Sequence, residues 1–184
     1  MESPRRLVTG VDAGGKAVIV SDGPAPRSYA YTTPAGMRST IVWATGAAAR
    51  PDADDPTPAL TRDLPAHGET RLVFVTFPPE AAFADPSFDP DVADAENRRA
   101  TPMLAELFEA DDPGMHRAPT IDYAIVVDGE IELELDDGVS SRLGPGDVVI
   151  QNATRHRWRN PADKPCTIAY TWIGIGPDGD GIRP

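Results

Sequence analysis

Thr120-Ile-Asp-Tyr-Ala-Ile-Val-Val-Asp-Gly-Glu-Ile-Glu-Leu-Glu-Leu-Asp-Asp-Gly138 decides the fold. Its β-branched first half reads as a strand that stops at Asp128-Gly129. Ile131, Leu133 and Leu135 then alternate with Glu130, Glu132 and Glu134, a strand with one dry and one wet face. Asp136-Asp137-Gly138 makes the next tight turn. Downstream, Gly144-Pro145-Gly146-Asp147 precedes a strand at Val148–Ile150. In His156-Arg-Trp-Arg-Asn160 the imidazole and the indole share one face and the arginines take the other, and Cys166–Trp172 closes the series. Short strands about every ten residues, with turns between, predict an antiparallel sandwich or barrel.

Upstream, strand candidates are Ala17–Val20, Ser28–Tyr31, Ser39–Thr45 and Arg71–Phe77, each bounded by Gly or Pro. Residues 47–66 read as an exposed loop. Pro102 followed by Met103, Leu104, Leu107 and Phe108 predicts a helix over about 101–110, closed by Asp111-Asp112-Pro113-Gly114. Asp85–Ala100 reads as loop or a second short helix. The segment either lids a pocket or covers a sheet edge. The chain divides into N-terminal strands (1–77) that pack on or swap with the barrel, a loop and helical insertion (78–113), a barrel core (114–175) and a tail (176–184).

The 184 residues suit one domain, and 20 prolines with 16 glycines exclude a helical bundle throughout. A net charge of −12 repels phosphate backbones, which argues against nucleic acid and anionic membranes as partners. Cys166 is the only cysteine, so neither an intramolecular disulfide nor a Cys-based zinc site is available. The first residues carry no apolar stretch resembling a signal peptide, and the apolar runs Leu72–Phe77 and Ala124–Val127 are too short to span a bilayer. A soluble, cytoplasmic protein is expected.

Of the three histidines, His67 lies in a turn and reads as solvent-exposed. His116 and Asp122 on one straight strand would be roughly 20 Å apart, too far for one ion. If the chain turns at Pro119, they converge, and His156 joins from a later strand. Two imidazoles and a carboxylate suit Fe(II), Mn(II), Ni(II) or Zn(II); equally, the histidines are ordinary surface or hydrogen-bonded residues.

From Gly114 to Asn160 the chain resembles the two motifs of the cupin superfamily. In the first motif His116 matches the leading histidine, Asp122 the acidic residue and Gly129 the closing glycine, but Ala118 stands where a second histidine is usual. In the second, Gly146, His156 and Asn160 match, the run from Gly146 to His156 is one residue short, and Asn152 and Ala153 replace the usual proline and glycine. More narrowly, His116, Arg117, Thr120, Asp122, Tyr123, Gln151, His156, Trp158 and Asn160 are similar to a group of small single-domain cupins found with secondary-metabolism genes. The resemblance implies an all-β double-stranded β-helix with one short helix, and a metal on His116, Asp122 and His156. The alternative is a polar pocket that has lost its metal.

The expected function is therefore a small-molecule enzyme acting on a carbonyl-bearing metabolite, an oxidoreductase, dehydratase, cyclase or isomerase. Asp122 and His156 are its catalytic pair, and Trp158, Gln151, Arg117 and Tyr170 its substrate-binding candidates. Gln151 also reads as bracing a turn, Tyr170 and Trp172 as core packing, and Tyr123 as packing outside the barrel. Arg155, Arg157 and Arg159 either stand in solvent, neutralise neighbouring glutamates or bind an anion. The competing expectation is a ligand-binding cupin without turnover. The extra N-terminal strands need a partner surface, which predicts a homodimer by strand exchange or sheet extension.

Overall fold

Two strands, β1 (Arg5–Val11) and β2 (Ala17–Pro24), pair as a ribbon whose turn is tied by the Asp12 carboxylate accepting from the Gly14 and Lys16 amides. They begin the chain in a computed structural model that describes residues 3–51 and 54–176. Then come β3 (Arg27–Ala30), β4 (Arg38–Thr45), β5 (Thr70–Phe77), helices α1 (Pro90–Ala100) and α2 (Pro102–Ala105), β6 (Thr120–Asp128), β7 (Ile131–Glu134), β8 (Ser140–Leu143), β9 (Val148–Asn152), β10 (Arg157–Arg159) and β11 (Cys166–Gly174).

One sheet runs β3-β4-β5-β11-β6-β9 and the other β10-β7-β8, with every pairing antiparallel. Their facing sides close on one core, to which the large sheet sends Ile41, Val73, Val126 and Ile168 and the small sheet Ile131, all 3 % exposed or less. Period-two alternation does this: along β6, Thr120, Asp122, Ala124 and Val126 are buried while Tyr123, Ile125 and Val127 are exposed. The molecule is the all-β double-stranded β-helix that the motifs imply. β5, from the N-terminal part of the chain, lies at its centre beside β11.

The helical segment differs from expectation. The main helix is α1, and it opens where Asp89 caps it, its carboxylate accepting from the Asp91 and Val92 amides at 3.0 and 3.1 Å, with Pro90 in the first turn and Arg98 and Arg99 in the last. The helix expected over 101–110 is only the single turn α2, because the chain must straighten for Phe108 to bridge to His116. Glu96 fastens α1 to the sheet, its carboxylate accepting from the Thr32 and Thr33 amides and the Tyr29 hydroxyl. Asp63 holds the start of α2 through the Met103 and Leu104 amides. Strands β1 and β8 were not expected. Apart from Gly176, the tail expected at 176–184 lies outside the described residues. No described helix is long and apolar enough to cross a membrane.

Gly129, the turn between β6 and β7, has φ +78°, and a Cβ there would stand 2.5 Å from the Pro165 carbonyl oxygen and 2.8 Å from the Cys166 Cα. Both the left-handed backbone and the backbone clash exclude a side chain. Cys166 is fully buried behind this turn, and burial together with the Asp128 charge pushes its thiol up to about 12. Gly129→Ala is expected to cost about 2–4 kcal/mol, read as a lowered denaturation midpoint in urea with an unchanged slope.

Candidate functional site

His116 and His156 meet by a backbone bridge, each amide donating to the other's carbonyl at 3.0 and 2.9 Å. Neither belongs to a named strand; the bridge is an isolated one, immediately before β10 on the His156 side. Their rings lie 4.4 Å apart between centroids, both residues being 9 % exposed or less. His116 Nδ1 is 3.1 Å from the Gly114 carbonyl and His156 Nδ1 is 2.9 Å from the Thr154 carbonyl. A carbonyl only accepts, so each Nδ1 carries the proton and each Nε2 presents a lone pair. Burial lowers the pKa of both rings. For His156 the neighbouring His116 adds to this, taking it to about 4. Both imidazoles are neutral at pH 7.

Asp122 faces the same interior from β6, opposite Trp172 of β11 and Gln151 of β9. It is 6 % exposed, and its Oδ1 has no hydrogen-bond partner among the described residues. Burial raises its pKa to about 6, against a smaller opposing effect of a hydrogen bond with the Thr120 hydroxyl. The Tyr170 hydroxyl, two residues along β11 from Trp172, is likewise buried without a partner, and burial with the Asp122 charge holds its phenol well above the usual value. Rings join these groups into one file: Phe108, His116, His156, Trp158, Tyr170 and Trp172, with successive centroids 4.4 to 6.3 Å apart.

The expected metal set is brought together only in part. Among the described residues no group of three or more His, Cys, Asp or Glu is placed to hold an ion. The two imidazoles are adjacent, but Ala118 supplies no third one and Asp122 is held apart on β6. The donor set does not fit the three protein ligands that an open metal centre uses.

The other candidates separate cleanly. Trp158 lies in the ring file beside His156. Gln151 is buried, but its amide donates to the Thr154 carbonyl at 3.1 Å and to the Thr154 hydroxyl, so it braces the turn before His156. Arg117 is exposed, because it alternates between buried His116 and Ala118, and does not line the interior. His67 is exposed, as expected.

Three arginines clamp the roof. Arg155 pairs with Glu109, Asp112 and Asp136 at 2.7 to 3.0 Å, Arg157 with Asp112 and Glu134, and Arg159 with Glu80 and Glu134. Glu109 and Asp112 belong to the strap that puts Phe108 edge-on over His116, 4.9 Å between centroids. Sequence reasoning missed Phe108, which reads there as a helix residue. Two shallow depressions, of about 90 and 160 Å³, lie elsewhere, the first by Glu130 and Arg142 and the second by Arg27, Tyr29 and Arg99; neither is lined by His116, Asp122 or His156.

The family profile described as a Cupin domain matches residues 106–174. The "Phomopsin biosynthesis cluster protein C'" of Diaporthe leptostromiformis is 56 % identical over 46 residues, 25 % of this chain and 24 % of that protein. The "Cupin-domain-containing oxidoreductase srdB" of Neurospora crassa is 44 % identical over 64 residues, 34 % of this chain and 33 % of that one. The matches therefore span between about a quarter and a third of these curated relatives. Among solved structures, a Cupin 2 conserved barrel domain protein from Salinispora arenicola superposes with a TM-score of 0.40 at 16 % identity, over 74 % of this chain and 75 % of that one.

The titrations oppose one another. Asp122 has a folded pKa near 6 against 3.8 unfolded, so its contribution to stability is full below 3.8 and is lost as pH rises through about 6. His156 has a folded pKa near 4 against 6.5 unfolded, so its contribution is full above 6.5 and is lost as pH falls through about 4. Each swing is about 3 kcal/mol at most, at about 1.4 kcal/mol per unit. Between pH 4 and 6 the thermal midpoint of the native chain should change little. Asp122→Asn should make it climb with pH, and the double change His116→Gln/His156→Gln should make it fall.

Proposed function

This chain belongs to the cupin superfamily, and we propose that it is a small-molecule enzyme that moves protons on a carbonyl-bearing metabolite inside the barrel. The observation that carries the reading is Asp122 Oδ1, buried and unpartnered beside an equally unpartnered Tyr170 hydroxyl. A buried polar atom without a partner costs about 1–3 kcal/mol, and such costs are characteristically kept where a ligand supplies the missing bond. The protonated Asp122 carboxyl would donate to a carbonyl or leaving hydroxyl oxygen, and the Tyr170 hydroxyl would orient it. The lone pair on His156 Nε2 would take the proton from the adjacent carbon, with neutral His116 packed against it. Desolvation sets both protonation states: it keeps the carboxyl protonated to about pH 6 and the imidazoles unprotonated.

Dehydration, cyclisation and isomerisation each need only such a transfer. The curated relatives named oxidoreductases suggest a net redox reaction; there an oxidant or reductant would have to enter with the substrate, and proton transfer is the half these residues can perform. A role in secondary metabolism, in the cytoplasm, belongs to the same proposal and draws on the biosynthesis-cluster names of the relatives. The rival reading, a ligand-binding barrel without turnover, is favoured by one observation: the ring file leaves the histidines covered by Phe108.

Cyclic and aromatic ketones such as 1-indanone and 2-cyclohexenone, followed by NMR in deuterium oxide, distinguish the two. Enzyme-accelerated deuterium entry next to the carbonyl is expected, falling about 100-fold or more in Asp122→Asn and in His156→Gln. Exchange no faster than in buffer, or indifferent to both changes, overturns the enzymatic reading. Ketone-dependent quenching of tryptophan fluorescence without exchange would leave the binding protein.

A further inference from the structure

At the β3 edge of the large sheet, Arg27 lies opposite Ile41 and Tyr29 opposite Ser39. Alternate positions share a face, so all four side chains stand on the side that Ile41 turns to the core. The last turn of α1 crosses this edge. Glu96 pins it there through the Thr32 and Thr33 amides and the Tyr29 hydroxyl. Arg99, three residues on, lies on the same side of the helix. Between helix and sheet is the depression of about 160 Å³, lined by Arg27, Tyr29, Ser39, Ile41 and Arg99.

Its two guanidiniums have no carboxylate partners. Among the described residues neither Arg27 nor Arg99 forms an ion pair, whereas Arg155, Arg157 and Arg159 each pair with two or three acidic groups. On α1, Glu96 is spent on its three donors and Asp94 on Arg98. In a chain with 29 acidic and 17 basic side chains, this hollow is a local reversal of sign. Arg27 is half-buried and held in place by donating from Nη1 to the Leu60 carbonyl. That bond leaves its Nε and Nη2 donors as a planar fork, the geometry that suits a carboxylate.

We propose that this hollow binds a small aromatic carboxylate, at a site separate from the barrel interior. A cavity of about 150 Å³ takes up one benzene ring, and this one is of that size. Tyr29 and Ile41 supply apolar wall for the ring, Ser39 adds a hydroxyl, and the two arginines meet the carboxylate. A bare phosphate would satisfy the guanidiniums and leave the apolar wall uncovered. Arg27, Ile41, Val73 and Tyr170 form one row across β3, β4, β5 and β11. Ile41 and Val73, 3 and 0 % exposed, fill the space between its ends. Three strand spacings put those ends about 14 Å apart. The inference therefore stands whether or not proton transfer occurs at Asp122 and His156.

Titration of the methyl-labelled native chain with benzoate, benzamide and inorganic phosphate, followed by NMR at pH 7, tests this. Benzoate should bind at millimolar concentration or below and move the Ile41 methyl signals by its ring current, leaving Val126 and Ile131 in place. Benzamide and phosphate should each bind about 10-fold more weakly or worse, since each lacks one half of the match. Arg27→Gln and Arg99→Gln should each weaken benzoate about 10-fold or more, and Arg117→Gln, which removes the same charge elsewhere, should not. Arg99 is exposed, so its variant keeps the test sound if loss of the Arg27 bond to Leu60 disturbs folding. The proposal is overturned by no binding at millimolar benzoate, or by shifts at Val126 and Ile131 instead of Ile41. Phosphate binding as tightly as benzoate, or Arg117→Gln weakening it as much as Arg99→Gln, overturns it equally, leaving only attraction of any anion to positive charge.

Discussion

The register of β6 between β9 and β11 is the constraint on which the rest depends. With Asp122 opposite Gln151 and Trp172, the carboxyl faces the barrel interior and Tyr123 faces out. A slip of one residue would exchange the two sides, putting Ile121, Tyr123 and Ile125 into the core and the carboxyl into water. In this register the buried Tyr170 and Trp172 of β11 lie beside Ala124 and Asp122. Gly129 ends β6 where only a residue without a side chain can pass Pro165 and Cys166.

The interior so formed is unusually polar for a core: its imidazoles are neutral at pH 7, and its carboxyl is neutral below about pH 6. The imidazoles donate their Nδ1 protons to backbone carbonyls, Gln151 is occupied by Thr154, and desolvation keeps Asp122 protonated up to about pH 6. What is left over is one carboxyl oxygen and one phenol, both buried without a partner among the described residues. The charged groups stand outside, in the arginine clamp that holds the strap carrying Phe108. Exposed ion pairs contribute little individually, but three arginines on consecutive outward positions fix one short strand, β10, to three different segments.

Much of the barrel was legible because alternation is a strong signal: Ile131 and Leu133 against Glu132 and Glu134, or His156 and Trp158 against three arginines. β1 was not, since its half-buried side carries Arg6, Val8 and Gly10 rather than an apolar row, and β8 lacks a dry face except at Leu143. Asp85–Ala100 reads in the sequence as loop or a second short helix, and α1 forms there behind the Asp89-Pro90 cap, while the apolar pattern after Pro102 yields only one turn; α1 is held by buried Glu96 rather than by an apolar stripe. Of the site, the meeting of His116 with His156 was readable only through a motif resemblance, because nothing local couples two distant bridges. The separation of Asp122 from them is a matter of which strand each residue rides on, and no spacing along the chain encodes it.

The turn at Gly129 has one more consequence. It packs the lone cysteine of the chain against backbone, with a thiol that stays protonated and out of reach of any reagent. Cys166 is thus a silent reporter: its rate of alkylation measures how often β11 lifts from its neighbours, without a label being added anywhere.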